Sequence, residues 1–303
     1  MDTSIVVTCF NEGERLRRAV ESLRRQSDTD FETLIVNDGS PDETTNRVCR
    51  ELEAQGGARV IWRARNGGLS AARNTGFEAM RGGICVPLDA DDTLPPDALA
   101  AIRETFRKHP DADFVFGNYL RHDLERGTRQ EVDCSALGRG GLLAPETLAS
   151  REWIFYGGSP CRKEMWRKLG GYRAEYSYDT QDLDFWMRAM TGGFKGYYAG
   201  RVIYEWRRSS TGMNERTSPA SRVRTRVHNI AFYDRFGDGI GARREFLLNA
   251  ISHREYDCAK EMAAQLLQRR RPSPLVLFIR VAPPPVIRGA HALWLRARLP
   301  RPR

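Results

Sequence analysis

The sequence predicts an α/β protein: a doubly wound, mostly parallel sheet with helices on both faces, followed by a helical, basic C-terminal extension. Three observations carry this. Apolar, β-branched runs alternate with amphipathic stretches over the first 120 residues, the rhythm of parallel strands joined by helical crossovers. The densest polar clusters (Thr8 to Asn11, Asn37 to Asp42, Asp89 to Asp92) each follow such a run, at the strand ends where open α/β sheets bind ligands. Charge is also divided. Residues 201–303 hold twenty arginines and one lysine against eight acids, net +13 in a chain of net +9, so the first 200 residues are net −4.

The elements follow in order. Thr3–Cys9 is an apolar β-branched run and predicts a strand. In Glu12–Gln26, Leu16, Ala19, Val20 and Leu23 form the i, i+3, i+4, i+7 stripe of an amphipathic helix. Phe31–Asn37, Arg59–Arg63, Ile84–Leu88 and Asp113–Gly117 read as further strands, with helices over Ser70–Met80 and Asp97–Lys108. A helix start follows the loop Asp38 to Asp42. Residues 121–158 are polar and glycine-rich, with little periodicity. Beyond them Lys163–Leu169 and Leu183–Met190 read as helical and Val202–Trp206 as a strand. Helical, basic patterns then cover Ser221–Phe236, Ala242–Ile251 and Tyr256–Arg270, followed by Leu275–Val281, the prolines 283–285 and Val286–Leu299. The expected division is residues 1–215 as a catalytic domain and 216–303 as the arginine-rich extension.

Composition narrows the class. With 41% hydrophobic and 29% charged residues and a mean hydropathy of −0.55, an integral membrane protein and a disordered chain are both excluded. The six cysteines form no CxxC pair and the five histidines no metal-ligand spacing, as expected for reduced thiols. No basic and apolar leader opens the sequence, so a cytoplasmic location is expected.

The sharpest cluster is Leu88-Asp89-Ala90-Asp91-Asp92. Three carboxylates in four residues repel one another unless a hard divalent cation, Mg²⁺ or Mn²⁺, sits among them. Read alone, the same residues equally suit a capped turn before a helix. Asp38-Gly39-Ser40-Pro41-Asp42 is a second acidic turn. Gly67-Gly68 leads into a helix carrying Arg73, where amides and a guanidinium suit phosphate.

Taken in order, SIVVTCFN (4–11), IVNDGSPD (35–42), NGGLSAARN (66–74), LDADD (88–92) and QDLDFWMR (181–188) resemble the inverting family 2 nucleotide-sugar glycosyltransferases with a GT-A fold. The resemblance covers residues 3–208. It implies that Thr8 and Asp38 contact the nucleotide base, with Asn11 and Arg73 nearby. Asp89 would touch ribose or sugar, and Asp91 and Asp92 would hold Mn²⁺ or Mg²⁺ on the diphosphate. Asp182 would be the general base, with Asp179 and Asp184 as local competitors. Two departures are Gln181, where the family has glutamate, and Asn37, where a second acid is usual.

The implied activity is metal-dependent, inverting transfer of a sugar from a nucleotide diphosphate donor, UDP-linked by that resemblance, to a hydroxyl of a glycan or lipid-linked acceptor. Such transfer belongs to polysaccharide and cell-envelope synthesis. The alternatives are a nucleic-acid-binding protein using the basic end and a non-catalytic family member. Trp153, Phe155, Tyr156, Tyr172, Tyr178 and Trp186 fall where the family builds its acceptor site, although most such aromatics are core. Residues 272–303 carry six arginines, Trp294 and no acid. An anionic membrane surface is the expected partner, giving peripheral attachment to the inner face of the plasma membrane. A helix packed on the domain is the competing reading.

Overall fold

A computed structural model describes residues 2–149, 157–208, 218–269 and 274–290. Contacts divide the chain into two compact units, Met1–Arg216 and Thr217–Arg303.

The first unit is built on one ten-stranded sheet in the order β3-β2-β1-β4-β9-β5-β10-β8-β7, with β6 paired to β5. The strands are β1 (Thr3–Cys9), β2 (Phe31–Asn37), β3 (Arg59–Trp62), β4 (Ile84–Asp89), β5 (Phe114–Asp123), β6 (Thr128–Val132), β7 (Gly138–Arg139), β8 (Leu142–Leu143), β9 (Cys161–Arg162) and β10 (Gly196–Arg208). Its helices are α1 (Glu14–Arg24), α2 (Glu43–Ala54), α3 (Gly68–Ala79), α4 (Ala98–Lys108), α5 (Glu146–Ala149), α6 (Lys163–Leu169) and α7 (Gln181–Thr191). All seven residues of β1 are buried, as a strand covered by helices on both faces requires.

Registry aligns the functional clusters. β1 runs parallel to β2 and β4, pairing Cys9 with Asn37 and Thr8 with Asp89. Three loops therefore leave the sheet side by side. The stripe Leu16, Ala19, Val20 and Leu23 is buried on α1. α3 lies close over β1, where a Cβ on Gly76 would stand 2.2 Å from Val6 Cγ1. Asp42 caps α2, accepting from the Thr45 amide at 2.8 Å.

Several elements differ from expectation. β10 spans thirteen residues with bulges, not the five of Val202–Trp206, because its first half is glycine- and tyrosine-rich and lacks an apolar run. β5 continues to Asp123 and turns into β6, giving order to part of the segment that periodicity left blank. β9 slips antiparallel between β4 and β5 with two residues, too few to leave a pattern. All six cysteines are buried, and none is in a disulfide.

The second unit is helical. The expected Ser221–Phe236 helix is two, Pro219–His228 and Ile230–Phe236, parted at Asn229. There the Asn229 side chain donates to the Thr225 carbonyl at 2.9 Å, a local bond that competes with helix continuation. Gly239–Ser252, Tyr256–Gln268 and Pro274–Val281 follow. Arg243 is buried and paired with Asp234, which Arg269 also contacts at 3.0 Å. Among the described residues, no helix is long and apolar enough to cross a membrane.

Candidate active site

The site forms where β1, β2 and β4 end. Asp38 is 4% exposed. Its carboxylate pairs with Arg63 and accepts from the Gly67 amide at 3.1 and 3.2 Å. Its own amide donates to the Cys9 carbonyl at 2.9 Å. Gly39 makes this turn possible: at φ +66° a Cβ would collide with the Arg65 backbone at 2.6 Å. Asn11 is exposed nearby, accepting from Ser40 Oγ at 3.4 Å.

The second wall is the end of β4. Arg73, 3% exposed on α3, holds Asp89 through Nη2 at 2.9 and 3.2 Å, and its guanidinium lies 5.5 Å from the Tyr172 ring. Thr8 Oγ1 donates to Asp89 at 3.4 Å. Burial, with Asp89 and Glu12 nearby, pushes the Asp91 carboxyl up to about 6. Glu12 is itself raised by burial, although it accepts from the Phe10 amide at 2.5 Å. Charge in this pocket is under-compensated, the condition in which a hard cation is favoured.

Burial, with Asp91 and Asp89 nearby, raises the Asp92 carboxyl as well, but its oxygens are engaged. Asp92 is 2% exposed, accepting from Tyr204 Oη at 2.9 Å and from the Arg207 amide at 2.7 Å. Both oxygens are thus used to fasten the acidic loop to β10. Tyr204 Oη also accepts from the Asp89 amide at 3.2 Å, and Thr93 pairs with Glu205. In this structure Asp92 braces the loop, and the metal role expected at 92 stays a proposal beside that of Asp91. Among the described residues no group of three or more His, Cys, Asp or Glu could by itself hold a metal ion, so Asp91 would need oxygens from a bound ligand.

Asp182 opens α7. Burial raises its carboxyl, Arg73 and the Leu183 amide at 2.8 Å oppose the rise, and Asp89 adds to it. Gly157 leans on it so closely that a Cβ there would stand 2.1 Å from Oδ2. Asp184 is 0% exposed and paired with Arg188 at 2.8 Å and Arg173 at 3.3 Å. Asp179 accepts from Thr180 Oγ1 at 3.0 Å. Gln181 is buried, and its Oε1 has no hydrogen-bond partner among the described residues.

The profile of glycosyl transferase family 2 matches residues 4–169. The chain belongs to this family. Among similar proteins is an uncharacterized glycosyltransferase, EpsJ, of Bacillus subtilis, 40% identical over 41% of this chain and 36% of that protein. An uncharacterized protein of Sinorhizobium fredii, y4gI, is 29% identical over 71% of this chain and 24% of its own length. The chain thus spans well under half of these relatives. S. aureus TarS 1–349 in complex with UDP shares the fold with a TM-score of 0.70 at 16% identity, covering 99% of this chain and 93% of that one. The mostly parallel sheet with helices is the GT-A type.

Against the family motifs, the structure gathers Thr8, Asp38, Arg73, Asp89, Asp91 and Asp182 around the strand ends. The aromatics divide differently. Tyr172 and Trp186 are core, Tyr172 stacked on Phe185 at 4.2 Å and Trp186 tilted against Phe114 at 4.8 Å. Tyr178 is 63% exposed. Trp153, Phe155 and Tyr156 lie outside the described residues, as do 291–303. Sequence reading missed Glu12, Arg63 and Tyr204. Glu12 directly follows Asn11 and had a signal as an acid at a strand end; Arg63 and Tyr204 reach the site only through tertiary pairing.

Proposed function

We propose that this chain is a metal-dependent, inverting glycosyltransferase that moves a sugar from a UDP-linked donor to a hydroxyl of a glycan or lipid-linked acceptor. The observation that carries the reading is the common setting of Asp182, Asp89 and Arg73. A carboxylate raised by burial faces the guanidinium and acid that the family motifs assign to the donor. TarS has been crystallised with UDP and with UDP-GlcNAc, which supports uridine over other bases.

The residues have separable tasks. Asp38, with Gly67 at its side, would accept from the base, and Thr8 and Asn11 would frame it. Arg73 orients Asp89, which would meet ribose or sugar. Asp91 would hold Mn²⁺ or Mg²⁺ together with diphosphate oxygens; when bound, the ion neutralises charge developing on the leaving group. Asp182 takes the proton of the acceptor hydroxyl as its oxygen bonds to the anomeric carbon. The bond from that carbon to the diphosphate oxygen breaks, the electron pair leaves with UDP, and attack from the opposite side inverts the centre. Residues 1–215 would be the catalytic domain.

The test is a thermal panel of UDP, GDP, CDP and ADP with Mn²⁺ or with EDTA. UDP with Mn²⁺ should raise the melting temperature by mass action and EDTA should abolish the shift. Equal shifts for all four, or none, would sink the reading.

The proposed membrane partner has one supporting observation. In the helix Pro274–Val281, Leu275, Leu277, Phe278 and Val281 are 48, 50, 36 and 79% exposed beside Arg280, while Val276 and Ile279 are buried. Apolar side chains among arginines suit an anionic lipid interface, so the protein should pellet with anionic liposomes at low salt and be released at high salt.

A further inference from the structure

The segment that leads into α7 is fastened to the loop that opens α3, and Ser177 is the clasp. It is 1% exposed. Its Oγ donates to the Gly67 carbonyl at 2.9 Å and accepts from the Ser70 amide at 3.1 Å. Its own carbonyl accepts from the Leu69 amide at 3.1 Å. Ser70 Oγ adds a fourth bond, to the Arg173 carbonyl at 2.9 Å. Gly68 lies beneath at φ +77°, where a Cβ would stand 2.5 Å from Ser177 Oγ and 2.9 Å from the Tyr178 ring. Any side chain at 68 would hold the two loops apart.

Gly67 is shared between two partners. Its N–H serves Asp38 and its carbonyl serves Ser177. Past Ser177 the connection is short and tight. The Asp179 amide donates to the Tyr176 carbonyl at 3.2 Å, the Asp184 amide donates to Thr180, and Asp182 stands in the first turn of α7. A ligand that reordered the Asp38–Gly67 contact would shift the Gly67 peptide, and Ser177 would pass that shift to the start of α7. Mere adhesion of two loops needs no buried hydroxyl. A hydroxyl that both donates and accepts here fixes register as well as distance, because losing it leaves a buried amide and a carbonyl unsatisfied.

We infer that Ser177 is a positioning residue that couples nucleotide seating at Asp38 and Gly67 to the placement of Asp182. The inference rests on the donor reading above and adds to it a link between the two half-sites. Its test is hydrogen exchange on the full chain with and without UDP and Mn²⁺, beside a calorimetric UDP titration.

In the wild type, UDP should slow exchange in peptides covering 63–70 and also in those covering 173–184. Ser177→Ala should bind UDP within about threefold of wild type and keep the response at 63–70, but lose about fivefold or more of the slowing at 173–184. With the UDP-sugar that supports turnover, its kcat should fall about tenfold or more while the donor KM stays within about threefold. Ser177→Thr keeps the hydroxyl and should restore both responses. Should the alanine variant fail to fold, Ser177→Cys, close in volume and a weaker hydrogen-bonding group, should show the same loss. A full UDP response at 173–184 in Ser177→Ala or Ser177→Cys overturns the inference, as does its absence in UDP-bound wild type or failure of Ser177→Thr to rescue. Failure of the wild type to bind UDP in the calorimeter overturns the donor reading itself, and is distinguishable because it appears before any exchange is compared.

Discussion

Asp182 and Asp184 stand two residues apart at the start of α7, and the fold treats them in opposite ways. Asp184 is 0% exposed and meets Arg188 and Arg173, and the Arg188 guanidinium goes on to the Leu169 and Gly171 carbonyls at 2.8 Å each. That network is closed around its charge. Asp182 has the Leu183 amide beside it, with Arg73 and Asp89 pulling in opposite directions, and burial raises its carboxyl. Charge that holds the fold together is paired at contact distance. The carboxyl proposed for the chemistry is left partly uncompensated, and burial raises its affinity for a proton.

The comparison can be broken most forcefully at Asp184. Asp184→Asn leaves Arg188 buried without its carboxylate, and breaking a buried pair in this way costs about 3–5 kcal/mol. Denaturant unfolding should report that loss, whereas Asp182→Asn, which removes a buried charge of raised pKa, should be neutral or mildly stabilising. Equal destabilisation by both would erase the distinction.

Asp91 sharpens the contrast more gently. Its carboxyl titrates near 6 when folded and near 3.9 when unfolded, so the folded state binds the proton more tightly. Its contribution is intact below about pH 4 and is lost as pH rises to about 6, at most about 3 kcal/mol at 1.36 kcal/mol per unit. In EDTA, Asp91→Asn should therefore melt above wild type at pH 7, with the difference closing near pH 4. The same variant should lose Mn²⁺-dependent UDP binding. A variant that melts lower at pH 7, or that keeps the Mn²⁺ effect, would remove Asp91 from the role.

The legibility of the site follows the same division. β1, β2 and β4 were readable because buried parallel strands are continuous apolar runs, and the acids at their ends stand out against them. α1 was readable from four residues of one stripe. β9, two residues long, and the glycine-rich first half of β10 carry no such pattern, and β10 is what braces Asp92 through Tyr204 and Arg207. Sequence spacing grouped Asp92 with Asp89 and Asp91 as adjacent acids. A loop turns each in its own direction, and which oxygen meets a tyrosine from 112 residues away is decided only by the sheet order. Arg63 on Asp38 and Ser177 on Gly67 are likewise pairings across loops. Gln181 beside Asp182 was legible as a departure; burial of its side chain was not.

The central claim is that Asp182 is the group that takes the acceptor proton, and the most direct measurement pairs turnover with UDP affinity in Asp182→Asn. Turnover should fall by about 10² or more while UDP affinity stays within about threefold. The wild-type rate should rise with pH along an acid limb displaced above the ordinary carboxylate range, because burial raises this carboxyl, and that limb should vanish in the variant's residual rate. A variant with near wild-type turnover would pass the role to Asp179, and a parallel collapse of UDP affinity would make Asp182 part of the donor cradle instead.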